Sequence, residues 1–498
     1  MPVSARDALS TIPVSSGKYF SLVAAVLLLT HCTVSTEDDP VLARVGDRTI
    51  TRQDFQDRAD LTVRPAYASG NSQRARNILL NTLIAEKILA IEGQNDARIR
   101  DNQRLNNYVR GLKEQIMREL HFRHHALEKT DVADDLVDAI ADQARRTYDL
   151  EYFDINPRDH ALVDSIFDVL GKDSTQFETV FRNLYPQHAL PRQRVNWQDV
   201  FHPDLFEILY LNRAEPGQII GPVYDQDGRI LCLRVDGWRT NVILSETDRA
   251  MIRRQVQKHL QIKKALRDYE SIIAGIMQDK QLIFNREGLI SLTNMLGPLY
   301  FENPDGLNPW HELDPRRRWQ QERQLDSLID HNGTTAGREL LEIDGRTWSI
   351  ADLIIKMQRR PLLFRRKHFP AKEFAQELAL AIVDLVRDEY LTAEAYRMGY
   401  DQSPEVGRTE QLWQDYFVAV LQREKLISMH PDSTVHALDY LTTQVQNLRR
   451  QYAPLIEVNR EALEETEISA VNTLVFARDV PFPVVVPGFP VLTRDDSL

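Results

Sequence analysis

The sequence predicts an α+β protein: a mostly helical frame present in two copies, with a compact mixed domain inserted in the first. Three observations predict it. Ala43–Phe55 (ARVGDRTITRQDF) is echoed by Leu341–Leu353 (LEIDGRTWSIADL), in which Gly345 stands 298 residues after Asp47. A second echo, NREGL at Asn285–Leu289 and NREAL at Asn459–Leu463, is spaced by only 174 residues. The difference of 124 residues is the size of an insert that copy one holds and copy two lacks. Between Val132 and Leu244, moreover, the pattern changes from long helical stripes to short mixed segments.

In chain order the first element is a leader. Lys18 precedes an apolar run, Tyr19–Thr30 (YFSLVAAVLLLT), that is too short to span a bilayer comfortably, and Cys32 follows it ahead of polar TVSTEDDP. The layout suits a secretory signal or, if uncleaved, an N-terminal anchor. Leu29-Thr30-His31-Cys32 resembles the lipobox of bacterial lipoproteins. The resemblance implies that residues 1–31 are removed, that Cys32 becomes the acylated first residue and that 32–40 form a tether. Thr33 stands where an Asp would retain a lipoprotein at the inner membrane, so the outer membrane is expected.

Residues 41–145 are expected to form the first part of copy one. Val41–Phe55 reads as strand, Gly46-Asp47 turn, strand and helix start, with Thr51 as the N-cap. Leu79, Leu80, Leu83, Ile84, Ile88 and Leu89, then Leu105, Val109, Leu112 and Ile116, lie at helical spacing and predict two long amphipathic helices. A long helix starting near Ser245 and a strand–helix unit, residues 241–300, complete copy one. Residues 301–337 form a linker and a charged helix opening at Arg316-Arg317-Arg318, 338–475 form copy two, and 476–498 form a Pro-rich tail. The loop Pro298–Trp310 and the stretch Pro481–Pro490 either touch partners or cover a helix bundle.

The insert, residues 146–240, reads β-α-α-β-α-β. Its elements are Asp149–Ile155, His160–Leu170, Thr175–Leu184, Val195–Trp197, Asp204–Leu211 and Arg229–Val235, an order that suits one small sheet with helices packed on it. Pro203–Val235 (PDLFEILYLNRAEPGQIIGPVYDQDGRILCLRV) resembles the second half of a parvulin-type prolyl isomerase domain, with its Pro216-Gly217 turn, Gly221-Pro222-Val223 strand and Asp227-Gly228 turn. VGDRTITRQDF together with LLNTLIAEKILAIEG resembles the chaperone domain of the SurA, PrsA and PpiD group of periplasmic folding factors. The resemblance implies a pocket or scaffold from Tyr152, Trp197, Phe206, Leu211, Gly217, Val223 and Leu231.

Parvulin sites carry a His on the first strand and another on the last, and favour a twisted peptide bond against a barrier of about 18–20 kcal/mol. Neither Leu150–Ile155 nor Ile230–Val235 contains a His. His160 and His202 lie nearby as substitutes, and Cys232 as a thiol, although its apolar run suits a buried small hydrophobe better. Efficient catalysis is therefore not expected. His121, His124 and His125 could set two imidazoles on one metal, but the Glu and Arg around them suit a solvated face; no metal or other cofactor is expected. Two cysteines exclude a disulfide framework, and a net charge of −12 opposes nucleic acid.

The function expected is a lipid-anchored periplasmic chaperone for unfolded or nascent envelope polypeptides. The alternatives are an active isomerase with substituted catalytic residues and an assembly lipoprotein with one fixed partner.

Overall fold

The computed structural model describes residues 12–13, 39–155, 160–197, 203–224, 230–241, 245–302, 333–360, 362–365, 369–429, 436–470 and 486–498. Cys32, His202, Arg316-Arg317-Arg318 and Pro481 lie outside them.

In chain order, the two-residue strand β1 (Ile12–Pro13) is followed by the hairpin β2 (Val41–Val45) and β3 (Arg48–Thr51). Gly46, at φ +61°, supplies the left-handed residue its turn requires. Thr51 caps α1 (Arg52–Leu61) in a reciprocal capping box with Asp54, as the sequence predicts. The first helical group is α2 (Gln73–Gln94), α3 (Ala97–Arg100), α4 (Gln103–His125) and α5 (Asp134–Gln143). The mixed segment comprises β4 (Arg146–Ile155), α6 (His160–Lys172), α7 (Phe177–Leu184), β5 (Arg192–Asn196), α8 (Pro203–Phe206) with a π-helical turn through Leu211, β6 (Ile219–Tyr224) and β7 (Ile230–Thr240). Beyond it lie α9 (Glu246–Ile276), β8 (Gln281–Phe284) and α10 (Arg286–Glu302). The described remainder runs α11 (Gly333–Ala336), β9 (Glu339–Ile343), β10 (Arg346–Ser349), α12 (Ile350–Arg359), α13 (Phe374–Arg397), α14 (Pro404–Ser428), α15 (Ala437–Gln451), β11 (Ile456–Val458) and α16 (Arg460–Glu464). The architecture is α+β, with small antiparallel sheets among long helices.

The hairpin β9–β10 repeats the strand–turn–strand–helix order of the first, with a different turn. Asp344 and Gly345 both take positive φ, 50° and 71°, and Ser349 forms a capping box with Asp352. Each hairpin gains a third strand, the second from the described strand just before it in the chain and the first from much later in the chain. β11 pairs with β2, and β8 pairs with β9. The same bond closes both sheets: Asn459 N–H donates to the Leu42 carbonyl at 2.9 Å, and Asn285 N–H to the Leu340 carbonyl at 2.8 Å.

This pairing corrects the expected division of the chain, in which residues 241–300 complete copy one. The strand in that segment serves the second hairpin instead, and the strand near 456 serves the first. Distance is the physical reason: α9 has 31 residues, about 46 Å of rise, enough to carry the chain from the mixed segment well away from the β2–β3 hairpin. The helices follow the same exchange. α14 packs along α2, and α4 packs on α12 and α13. At the α4–α12 crossing a Cβ on Gly111 would stand 2.0 Å from the Arg359 carbonyl oxygen, so only glycine allows that approach.

The cores match. Leu289, Leu292 and Leu296 of α10 join Leu340, Leu341, Ile350 and Leu353, whereas Ala462 and Leu463 of α16 join Leu42, Val45, Ile50 and Phe55. Pro298–Glu302, expected in a loop, is the end of α10; its apolar side continues with Tyr300, which is buried.

The mixed segment forms one antiparallel sheet in the order β5-β4-β7-β6, bracketed by β4 and β7 at the expected boundaries. It is not closed within 146–240, however. α5 and α9, from either side of those boundaries, supply Val137, Ile140, Val256 and Leu260 to the core on one sheet face. An apolar sheet face needs a cover, and here the frame provides it.

Candidate functional site

Strand alternation divides the side chains of the mixed sheet between two faces. Tyr148, Leu150 and Tyr152 of β4 share one face with Leu231, Leu233 and Val235 of β7 and with Ile220 and Val223 of β6. Glu151, Phe153 and Ile155 share the other with Ile230, Cys232 and Arg234.

The first face gathers six of the seven expected pocket residues: Tyr152, Trp197, Phe206, Leu211, Val223 and Leu231. The Trp197 and Phe206 rings stand 5.6 Å apart, and Tyr210 from the π-helical turn stacks on Phe206 at 5.9 Å. The seventh, Gly217, lies outside the cluster. It takes φ +83° in the Pro216-Gly217 turn and donates its N–H to the Val235 carbonyl at 2.8 Å, which fixes the entry into β6.

Two residues that sequence reading missed complete this face. His259 of α9 sets its ring 4.2 Å from Phe206 and 5.4 Å from Trp197. The Lys263 ammonium lies 5.4 Å over the Phe206 ring. Burial, followed by the neighbouring Lys263 charge, pushes the His259 imidazole down to about 4, so it is neutral at pH 7. The signal was present as the stripe Ile252, Val256, His259, Leu260 and Lys263, but such a stripe states only that a helix packs, not on what. With α9 seated there, the face is a filled core.

The opposite face is closed by α6 and α7 through Val163, Ile166, Leu170, Phe177 and Phe181. Cys232 belongs to it, completely buried and on the far side of the sheet from Tyr152 and Leu231. Burial pushes its thiol up to about 12, so a thiolate is not formed at neutral pH. Its place matches the buried small hydrophobe, not a catalytic thiol. His160 opens α6. Glu151, 1% exposed, accepts from Arg192 at 2.6 and 3.0 Å and also from the Arg234 guanidinium, tying β4 to both neighbouring strands.

The histidines of α4 divide between core and surface: His121 is buried, whereas His124 and His125 are half-exposed. His121, 1% exposed, places Nδ1 2.8 Å from the Tyr269 hydroxyl of α9 and stacks on His125 at 4.6 Å. His124 Nδ1 lies 3.3 Å from the Tyr400 hydroxyl. Burial, then the neighbouring His125, pushes His121 down to about 4. Among the described residues no three His, Cys, Asp or Glu side chains are placed to hold a metal, and no helix is long and apolar enough to cross a membrane.

Compared with known proteins, the chain matches no family model, no curated protein and no solved structure.

Proposed function

We propose that this chain is a cell-envelope folding factor of the SurA, PrsA and PpiD kind, which holds unfolded or outer-membrane-bound polypeptides without catalysing prolyl isomerisation. Its frame is one chaperone unit present twice, with a degenerate parvulin-like domain inserted in the first copy. The paired hairpins, their capping boxes and their matching Asn–Leu bonds support the duplication. The four-stranded sheet bracketed by helices supports the insertion.

One observation carries the non-catalytic reading. On both strands that would hold the family's histidines, the side chains of one face are covered by α9, and those of the other by α6 and α7. Among the described residues, these faces offer a proline-containing chain packed apolar side chains in place of the family's histidines. Holding needs apolar surface instead. Phe301 and Leu363, 43% and 51% exposed, border a cluster of rings in which Tyr300 and Phe364 lie 4.6 Å apart and Phe301 and Phe374 5.6 Å apart.

The test is a pair of assays on the chain from Cys32 onward. It is expected to suppress aggregation of a chemically denatured model protein at near-stoichiometric ratio. It should also leave cis/trans exchange of a proline peptide on its uncatalysed scale of about 10–100 s at 25 °C. No suppression would overturn holding, and clear acceleration would restore the active isomerase. Attachment through Cys32 is tested separately: Cys32→Ser should shift the protein from membrane to soluble fractions, and retention in the membrane would remove the lipid anchor from this reading.

A further inference from the structure

Residues 486–498 lie across α1, α2, α14 and α15 without helix or strand of their own; their main chain is held at several points, beside side-chain contacts of Asp496 with Arg74 at 2.9 Å and of Asp495 with Gln446 at 3.2 Å. Arg58 Nη2 donates to the Gly488 carbonyl at 2.5 Å, and Arg423 Nε to that of Val491 at 3.0 Å. Asn81 Nδ2 donates to the carbonyls of Asp495 and Ser497, both at 2.9 Å. Arg449 Nη1 reaches the Ser497 carbonyl at 2.6 Å and Asn77 Nδ2 that of Asp496 at 3.3 Å. Five side chains thus read six main-chain contacts, and every polypeptide carries such carbonyls. Two apolar anchors lie three residues apart, and Leu498 adds a third apolar contact against the cluster that Phe489 enters. Phe489 enters the cluster of Leu79, Leu80 and Leu83, and Leu492 that of Ala85, Leu89, Ala419 and Val445. A Cβ on Gly488 would meet nothing within 4 Å, so a larger residue fits there.

The donors are preset for this task. Arg58 is fixed by two bonds to Glu86, at 2.8 and 2.6 Å, and Asn81 Oδ1 accepts from Arg449 at 2.8 Å. A buried amide on an apolar helix face is costly unless its donors are met, so a simple structural strap would favour an apolar residue at position 81. The position 302 residues later, on α13 of the other copy, is indeed Val383.

We propose that the groove between α1, α2, α14 and α15 is a binding site for extended, unfolded polypeptide, and that residues 486–498 are its resident occupant, displaced by a client. The inference rests on the holding function proposed above and gives that function a place. A client bound there offers its carbonyls to Arg58, Asn81, Arg423 and Arg449 and two apolar side chains three residues apart to the pockets of Phe489 and Leu492. The resident segment competes from within the same chain, at an effective concentration of about millimolar, and so sets a threshold for clients.

The test uses the whole chain from Cys32 and two labelled probes read by fluorescence anisotropy: a synthetic peptide of residues 486–498, and an unrelated extended peptide with Phe and Leu three residues apart. Loosening the resident segment with the double substitution Phe489→Ala and Leu492→Ala should tighten binding of both probes by about tenfold or more, and adding Asn81→Leu should abolish the gain. A folded variant that binds neither probe, or only the first, overturns the proposal, because the segment is then a private strap. Should the variant not fold, amide exchange on the unaltered chain decides: denatured client must speed exchange in 486–498, and unchanged exchange overturns the inference. Aggregation suppression with unchanged exchange would remove this groove and leave holding intact. Probe binding without suppression would do the reverse.

Discussion

Cut between residues 303 and 332, the chain is expected to give two pieces of which the second, 333–498, folds only when the first is present. That second piece carries β9–β10 without β8, and β11 without β2 and β3. Its helix α14 would expose Trp413, Phe417 and Val418, which pack against Ala90, Tyr108 and Leu112 of the first piece. Its α13 would lose the partner that α4 provides. An isolated hairpin is at best marginal in water, and the bared faces amount to a domain core cut in half. Alone, the piece should show no cooperative thermal transition and should aggregate. Mixed with 39–302 during refolding, it should elute as a one-to-one complex with a sharp transition. The first piece retains the mixed domain and can keep some structure, so it is less diagnostic. A cooperative melt of 333–498 by itself would show that the two lobes do not depend on exchanged strands.

Local features of the fold were legible in the sequence, because short-range chemistry fixes them. Gly46, the Asp344-Gly345 pair, and the caps at Thr51 and Ser349 each specify a turn or a helix start within a few residues. The change from helical stripes to short mixed segments between Val132 and Leu244 marked the stretch in which the mixed sheet lies. Which third strand joins which hairpin was not legible, for a physical reason. β8 and β11 are each followed by the same Asn-Arg-Glu start, and either could pair with either hairpin. The choice is made by the reach of α9 and by the crossing at Gly111, both of which are tertiary facts.

The candidate site divides in the same way. The resemblance named Tyr152 and Leu231 together, and the structure sets them on one face, but nothing local announced that His259 would come from another element to fill it. The contacts under residues 486–498 leave still less trace, because bonds to carbonyl oxygens impose no pattern on the residues that bear them.

Asp415→Ala should cost about 3–5 kcal/mol of stability, the range found when one partner of a buried ion pair is removed. Asp415 lies mid-way along α14 and is 1% exposed. Its Oδ1 accepts from Arg48 Nε at 2.9 Å and from Gln411 Nε2 at 2.7 Å, and the Lys87 ammonium stands 3.0 Å from Oδ2. Removing the carboxylate leaves Lys87 buried with Glu86 as the nearest anion, at 3.6 Å, and Glu86 already holds Arg58, while Arg48 keeps Asp47, an exposed carboxylate, at 3.3 Å. The penalty is thus mainly that of stranded cations, and not the net worth of the pair. It follows that Lys87→Met should recover part of the loss when combined with Asp415→Ala, although alone it would leave Asp415 short of a partner. Because Arg48 belongs to β3 and Asp415 to α14, the same measurement probes the contact between the first hairpin and the second half of the chain. Urea unfolding of the four chains of this cycle reads the result as shifts in midpoint at constant slope. A loss below about 1 kcal/mol for Asp415→Ala would mean that water reaches this cluster, and that the junction between the halves is held by its apolar contacts alone.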